Sequence, residues 1–145
     1  MANEKARIGP KDLGIDLSKP TDATVFRWLV ACQLFGARIS QEIAARAFGE
    51  IDRAGLVTPR KLASADWQRL VDLRGKGGYR RYDESRAREL IEVGRLAVDK
   101  YGGKVTRMRD DANKREVTER LQEFKGIGPT AARIFLREMA PIWKL

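Results

Sequence analysis

The sequence predicts an all-α fold, a compact helical bundle with a tight hairpin between two short helices near its C-terminus. Three observations carry this. Apolar residues recur at helical spacing through most of the chain and never alternate with period two long enough to make a strand. Cap and stop signals punctuate those runs. Residues 124–132, Phe-Lys-Gly-Ile-Gly-Pro-Thr-Ala-Ala, set two glycines around one aliphatic residue, with an amphipathic run on each side.

The elements follow in chain order. Residues 1–20 form a mixed-charge lead-in with Gly9, Pro10, Gly14 and Pro20, expected to be an extended arm that packs in part through Ile8, Leu13, Ile15 and Leu17. A single helical domain is expected over 21–145. Thr21 or Asp22 caps its first helix, and residues 25–35 are apolar almost all round, the mark of a helix at the centre of a domain. Arg27 and Gln33 are the exceptions, and reaching a surface would account for either. After Gly36, Ser40 caps a helix to about Ala54 with one apolar stripe through Ile43, Ala47 and Ile51. Thr58-Pro59 starts a short helix, and Ser64 a second that carries Trp67, Leu70 and Val71.

Residues 74–82, Arg-Gly-Lys-Gly-Gly-Tyr-Arg-Arg-Tyr, read as a loop with four cations, three glycines and two aromatics. Lys76, Arg80 and Arg81 suit phosphates and bases, though a solvated turn with tyrosines on the core fits as well. Asp83 caps a long helix to about Tyr101, apolar on the face of Ala87, Leu90 and Ala97. The charges of its other face, Arg86 and Glu89 among them, read mostly as solvated. Gly102-Gly103 stops it, and a charged link leads to the first hairpin helix near Lys114. The hairpin motif spans about 113–140.

Within the hairpin, Gly126 and Gly128 tolerate backbone angles that other residues resist, and neither has a side chain to hold off an approaching strand. Ile127 plugs the turn between its helices. Pro129 suits the first turn of the second helix, whose N–H groups and positive dipole end form a ready site for a phosphate oxygen.

Composition narrows the chemistry. At 145 residues, 43% apolar and 34% charged, the chain suits one globular domain. A net charge of +9 favours an anionic partner, nucleic acid before membrane. Cys32 is the only cysteine and histidine is absent, which removes disulfides, an iron-sulfur cluster, thiolate zinc and histidine-based triads. No side-chain metal site is expected. Without a signal peptide or membrane-spanning run, the expected location is the cytoplasm, in association with the nucleoid.

Gly126, Ile127, Gly128 and Ala132 match the Gly-(Val/Ile)-Gly-x-x-x-Ala core of a helix-hairpin-helix, and the chain resembles the endonuclease III and HhH-GPD superfamily of DNA base-excision repair proteins. The likeness covers roughly residues 25–139. It implies the six-helix HhH-GPD domain. It also implies phosphate contacts from residues 125–132, with charge added by Lys125 and Arg133, and a monovalent cation on the hairpin's backbone carbonyls. Ala37 falls where endonuclease III wedges a glutamine into DNA; the adjacent Arg38 is a substitute wedge, a phosphate contact or a solvated arginine.

The family's chemistry does not carry over. Its lysine nucleophile would stand at Thr130, which cannot form a Schiff base, so Thr130 is retained only as a DNA-contact position. No aspartate follows Asp111 to serve as the family's second catalytic group. Asp110, Asp111, Glu116 and Glu119 read as solvated acids, so no catalytic residue is assigned. Two accounts stay open: a piece of a longer repair protein, or a DNA-binding protein without glycosylase chemistry. The leading expectation is a binder of duplex DNA linked to repair, with damaged or abasic sites as candidate targets. The alternatives are an active glycosylase or AP endonuclease whose catalytic acid lies elsewhere, and a scaffold with a protein partner. Alanine at both Gly126 and Gly128 is expected to weaken binding and leave the fold intact.

Overall fold

The computed structural model describes residues 8–37, 39–76 and 83–145, the side chains of Asp83 and Glu84 excepted. Among these residues there are seven α-helices and no strand: α1 Asp22–Phe35, α2 Gln41–Arg53, α3 Pro59–Ala63, α4 Trp67–Lys76, α5 Asp83–Tyr101, α6 Lys114–Gln122 and α7 Pro129–Trp143. Short 3-10 turns occupy Pro10–Leu13 and Val105–Arg109. No described helix is long and apolar enough to cross a membrane.

The apolar run of α1 places it at the centre. Every residue from Val25 to Leu34 except Arg27 is buried. α1 packs on α2 along one side and on α7 along another, while α3 and α4 lie against α5 and α6 pairs with α7. Trp28, wholly buried, donates its Nε1–H to the Phe135 carbonyl at 3.4 Å and so links α1 to α7. Where α5 crosses α3 the backbones nearly touch, and a methyl group at Gly94 would fall 2.5 Å from the Ala63 nitrogen. Trp143 closes the end of α7 against Phe135, with ring centroids 5.8 Å apart.

The caps follow side-chain chemistry. Thr21, Ser40 and Thr58 each accept the N–H three residues on, and Asn113 and Glu116 form a reciprocal capping box at α6. Asp22, in the first turn of α1, instead accepts from the Thr106 N–H at 3.0 Å and hydroxyl at 2.6 Å, tying α1 to the turn after α5. The fourth helix departs from expectation. Its first turn is held by Asp66, which accepts from the Arg69 N–H at 3.0 Å, whereas the Ser64 hydroxyl bonds back to the Arg60 carbonyl and belongs to α3. A carboxylate at this start outcompetes the hydroxyl two residues earlier because it also meets the positive end of the dipole.

The segment before α1 is tied to the domain. Ile15 and Leu17 are buried, and the Ile8 N–H donates to the Gln41 Oε1 at 2.8 Å. Arg27 does not simply reach the surface. It forks onto Asp52 of α2 at 2.8 and 3.2 Å, donates to the Gly14 carbonyl at 3.3 Å and lies over the Phe48 ring.

Candidate nucleic-acid interface

The hairpin is built by short backbone bonds. After α6 the Phe124 N–H reaches the Leu121 carbonyl, and the Ile127 N–H reaches the Phe124 carbonyl, both at 3.1 Å. Phe124 stacks on Tyr101 of α5, with centroids 6.1 Å apart, and Ile127 is 3% exposed. Ile127 therefore acts as the plug, and only its backbone is available to a ligand. Gly126 adopts φ +79°, the left-handed region that glycine enters without strain.

The two glycines face different surroundings. Gly126 lies on α1: an added methyl would stand 2.6 Å from the Gln33 Nε2. Gly128, the N-cap of α7, has nothing within 4 Å of its Cβ position and offers no side chain to cap the helix. Pro129 follows as the first helical residue. The start of α7, where unpaired N–H groups and the positive dipole end lie, is therefore open at Gly128. At Gly36 the loop after α1 comes so close to α7 that an added methyl would meet the Ala131 Cβ at 2.8 Å.

These approaches shape a groove of about 510 Å³ over the hairpin, lined by Gly36, Arg86, Lys125, Gly126, Gly128 and Thr130 among others. The structure thus brings Lys125, the two glycines and Thr130 together, with Lys125 and Thr130 exposed. Arg133 is exposed one turn further along α7 and lines a neighbouring groove. Lys76 is exposed at the end of α4, which continues through three residues expected in a loop. Arg74, counted among the loop's cations, is wholly buried in that helix. The run is helical because Leu70, Leu73 and Arg74 share the buried face of α4, so packing overrides the glycine signal. Arg38, Arg80 and Arg81 lie outside the described residues, as do Tyr79 and Tyr82.

Two residues of this region were not legible as parts of it. Arg86 reads as one of the solvated charges of α5, but it lines the hairpin groove, 30% exposed and paired with Glu89 at 3.3 Å. Gln33 is 1% exposed, with neither carboxamide atom hydrogen-bonded. Its presence in an otherwise apolar run was the available signal; no pattern in sequence points Arg86 toward residue 126.

The chemistry on offer is electrostatic. Lys100 pairs with Glu123 beside the hairpin, and that hydrogen bond holds its ammonium pKa above the ordinary lysine value. Among the described residues no group of three or more His, Cys, Asp and Glu could hold a metal ion. Asp110 and Asp111 are exposed, and Glu116 is engaged in the α6 cap. Residues 124–128 do offer carbonyl oxygens. Those of Phe124 and Gly128 each accept one backbone bond, from Ile127 and Ala132. No protein-family model matches the chain, and no curated protein matches it in sequence.

Proposed function

We propose that the chain binds duplex DNA by its phosphate backbone through the hairpin at residues 124–130, as a helix-hairpin-helix domain of endonuclease III type linked to repair. The observation that carries this reading is the open side of the hairpin. The uncapped start of α7 and the bare backbone of Gly128 share one groove with Lys125 and Arg86. Backbone N–H groups at a helix start, flanked by cations, suit a phosphate oxygen and carry no sequence information. The net charge of +9 adds a long-range attraction. A monovalent cation on the hairpin carbonyls would bring positive charge to the same phosphate. Thr130 is exposed where the resembled enzymes carry a lysine, and it supplies no amine for Schiff-base chemistry.

The test is fluorescence anisotropy with a duplex bearing one abasic-site analogue and with its undamaged twin, each at low and moderate salt. The expected result is binding whose logarithm falls linearly with log salt, by roughly 0.9 per phosphate neutralised. Stronger binding to the abasic duplex would extend the reading to lesion recognition. No binding at low salt would overturn it. Borohydride treatment with an abasic duplex is expected to leave no covalent adduct, and an adduct would favour an active lyase instead.

A further inference from the structure

A second groove, of about 610 Å³, follows the outer seam between α6 and α7. Lys114, Thr118 and Gln122 stand four residues apart on one face of α6, and Pro129, Arg133 and Arg137 repeat that spacing on α7. The floor is apolar: Ile134 is half-buried, and Ala132 and Leu136 lie beneath in the core. Three lining residues are cations and, among the described residues, none is an acid. Arg137 donates its Nε–H to Glu138 at 3.1 Å, and its side chain remains 27% exposed.

We propose that this groove docks an acidic amphipathic segment of a partner protein, with an apolar side chain on Ile134 and carboxylates on Lys114, Arg133 and Arg137. Direction distinguishes it from a continuation of the hairpin site. A phosphate held by the start of α7 sits off the end of the helix axis. The second groove begins at Gln122 and Pro129, which line both grooves, and runs down that axis. Arg137 lies eight residues past Pro129, about 12 Å along the helix, and Lys114 lies as far back along α6. These cations therefore lie well beyond a phosphate held at the start of α7. The seam lies between two packed helices, where a duplex rides on the rim and leaves the apolar floor unused. A peptide helix or strand enters such a seam, burying apolar side chains while its charges meet the rim. The proposal does not rest on the DNA reading: the two grooves share Gln122 and Pro129, but Lys114, Ile134 and Arg137 belong to the second alone.

The experiment is amide chemical-shift mapping on the full chain with a short helical peptide that carries leucines on one face and glutamates on the other, beside a twin with lysine for glutamate. The acidic peptide is expected to shift the amides of Thr118, Arg133 and Ile134, and the lysine twin to leave them in place. Arg137→Glu is expected to weaken the acidic peptide about tenfold. Lys114→Glu, at the exposed start of α6 where an acid suits the helix, is expected to weaken it too and keeps the test sound if the first variant unfolds. Absence of shifts, equal binding of both peptides or undiminished binding by folded variants would overturn the proposal. A short duplex DNA that moves the Lys114 and Arg137 amides would overturn it in favour of a nucleic-acid track.

Discussion

Gly126 and Gln33 meet where the hairpin crosses the central helix, and the space between them has no room for a methyl group: its carbon would stand 2.6 Å from the Gln33 amide nitrogen. Alanine there also meets a φ of +79°. Gly126→Ala is expected to destabilise the fold by about 1–3 kcal/mol, read from urea unfolding. Adding Gln33→Ala should return the contact part of that loss and leave the backbone part, a coupling visible in a double-mutant cycle. A wild-type midpoint for Gly126→Ala would refute the close approach. In the double replacement of Gly126 and Gly128, the stability cost therefore arises chiefly at Gly126.

Gly128→Ala is the clean probe of binding, because its Cβ position is open. Stability should fall by only about 1 kcal/mol, the difference between glycine and alanine at an N-cap. Anisotropy should show DNA affinity reduced by about tenfold, the worth of one hydrogen bond to a charged group. Full affinity in a folded Gly128→Ala protein would remove the hairpin as the anchor.

Gln33 itself is a stability reserve. Its carboxamide is buried without a partner, whereas methionine has similar length and no strong polar group to desolvate. Gln33→Met is expected to raise stability by about 1 kcal/mol in the same urea titration. A loss of stability instead would mean that the carboxamide has a bonding role.

Alkaline pH should destabilise the fold through two buried groups. Burial raises the Cys32 thiol well above its ordinary value, and burial also raises the Tyr101 phenol, with Lys100 opposing. Both stay neutral in the native state beyond the pH at which the unfolded chain ionises. Their contribution is complete below the ordinary thiol and phenol values and is lost as pH climbs past them. Melting temperature measured from neutral to strongly alkaline pH should therefore fall, and fall less in Tyr101→Phe. In native protein the Cys32 thiol should resist Ellman's reagent until denaturant is added; rapid native reaction would contradict its burial.

Arg27→Ala should loosen the segment before α1. The change removes the fork onto Asp52, the bond to the Gly14 carbonyl and the guanidinium over Phe48. With both ion-pair side chains only 24% and 31% exposed, the cost is expected to be about 1–2 kcal/mol. Trypsin should then cleave faster after the exposed Lys11. Unchanged cleavage would show that Ile15 and Leu17 alone hold the segment.

The helices were legible because their signals are local. The apolar girth of α1, the Thr21, Ser40 and Thr58 caps and the glycine stop after Tyr101 each act within a turn of the residue that causes them. The end of α4 was not, because Gly75 and its neighbours read as a loop until the burial of Arg74 is known. The hairpin could be read from Gly126, Ile127 and Gly128, while Arg86 could not. Its place beside the hairpin depends on how α5 crosses the bundle, a distance of some 40 residues that periodicity does not span.

The clasp of α1 on α7, through the Trp28 bond to Phe135 and the near-contact of Gly36 with Ala131, has a consequence for the order in which the molecule opens. Amide hydrogens in the buried middle of α1 should be the last to exchange with deuterated water, because only global unfolding exposes them. Those in the middle of α7 should follow close behind. The hairpin, though a turn near the chain's end, would inherit slow exchange at Ile127 from the helix beneath it, and would not fray as a free turn does.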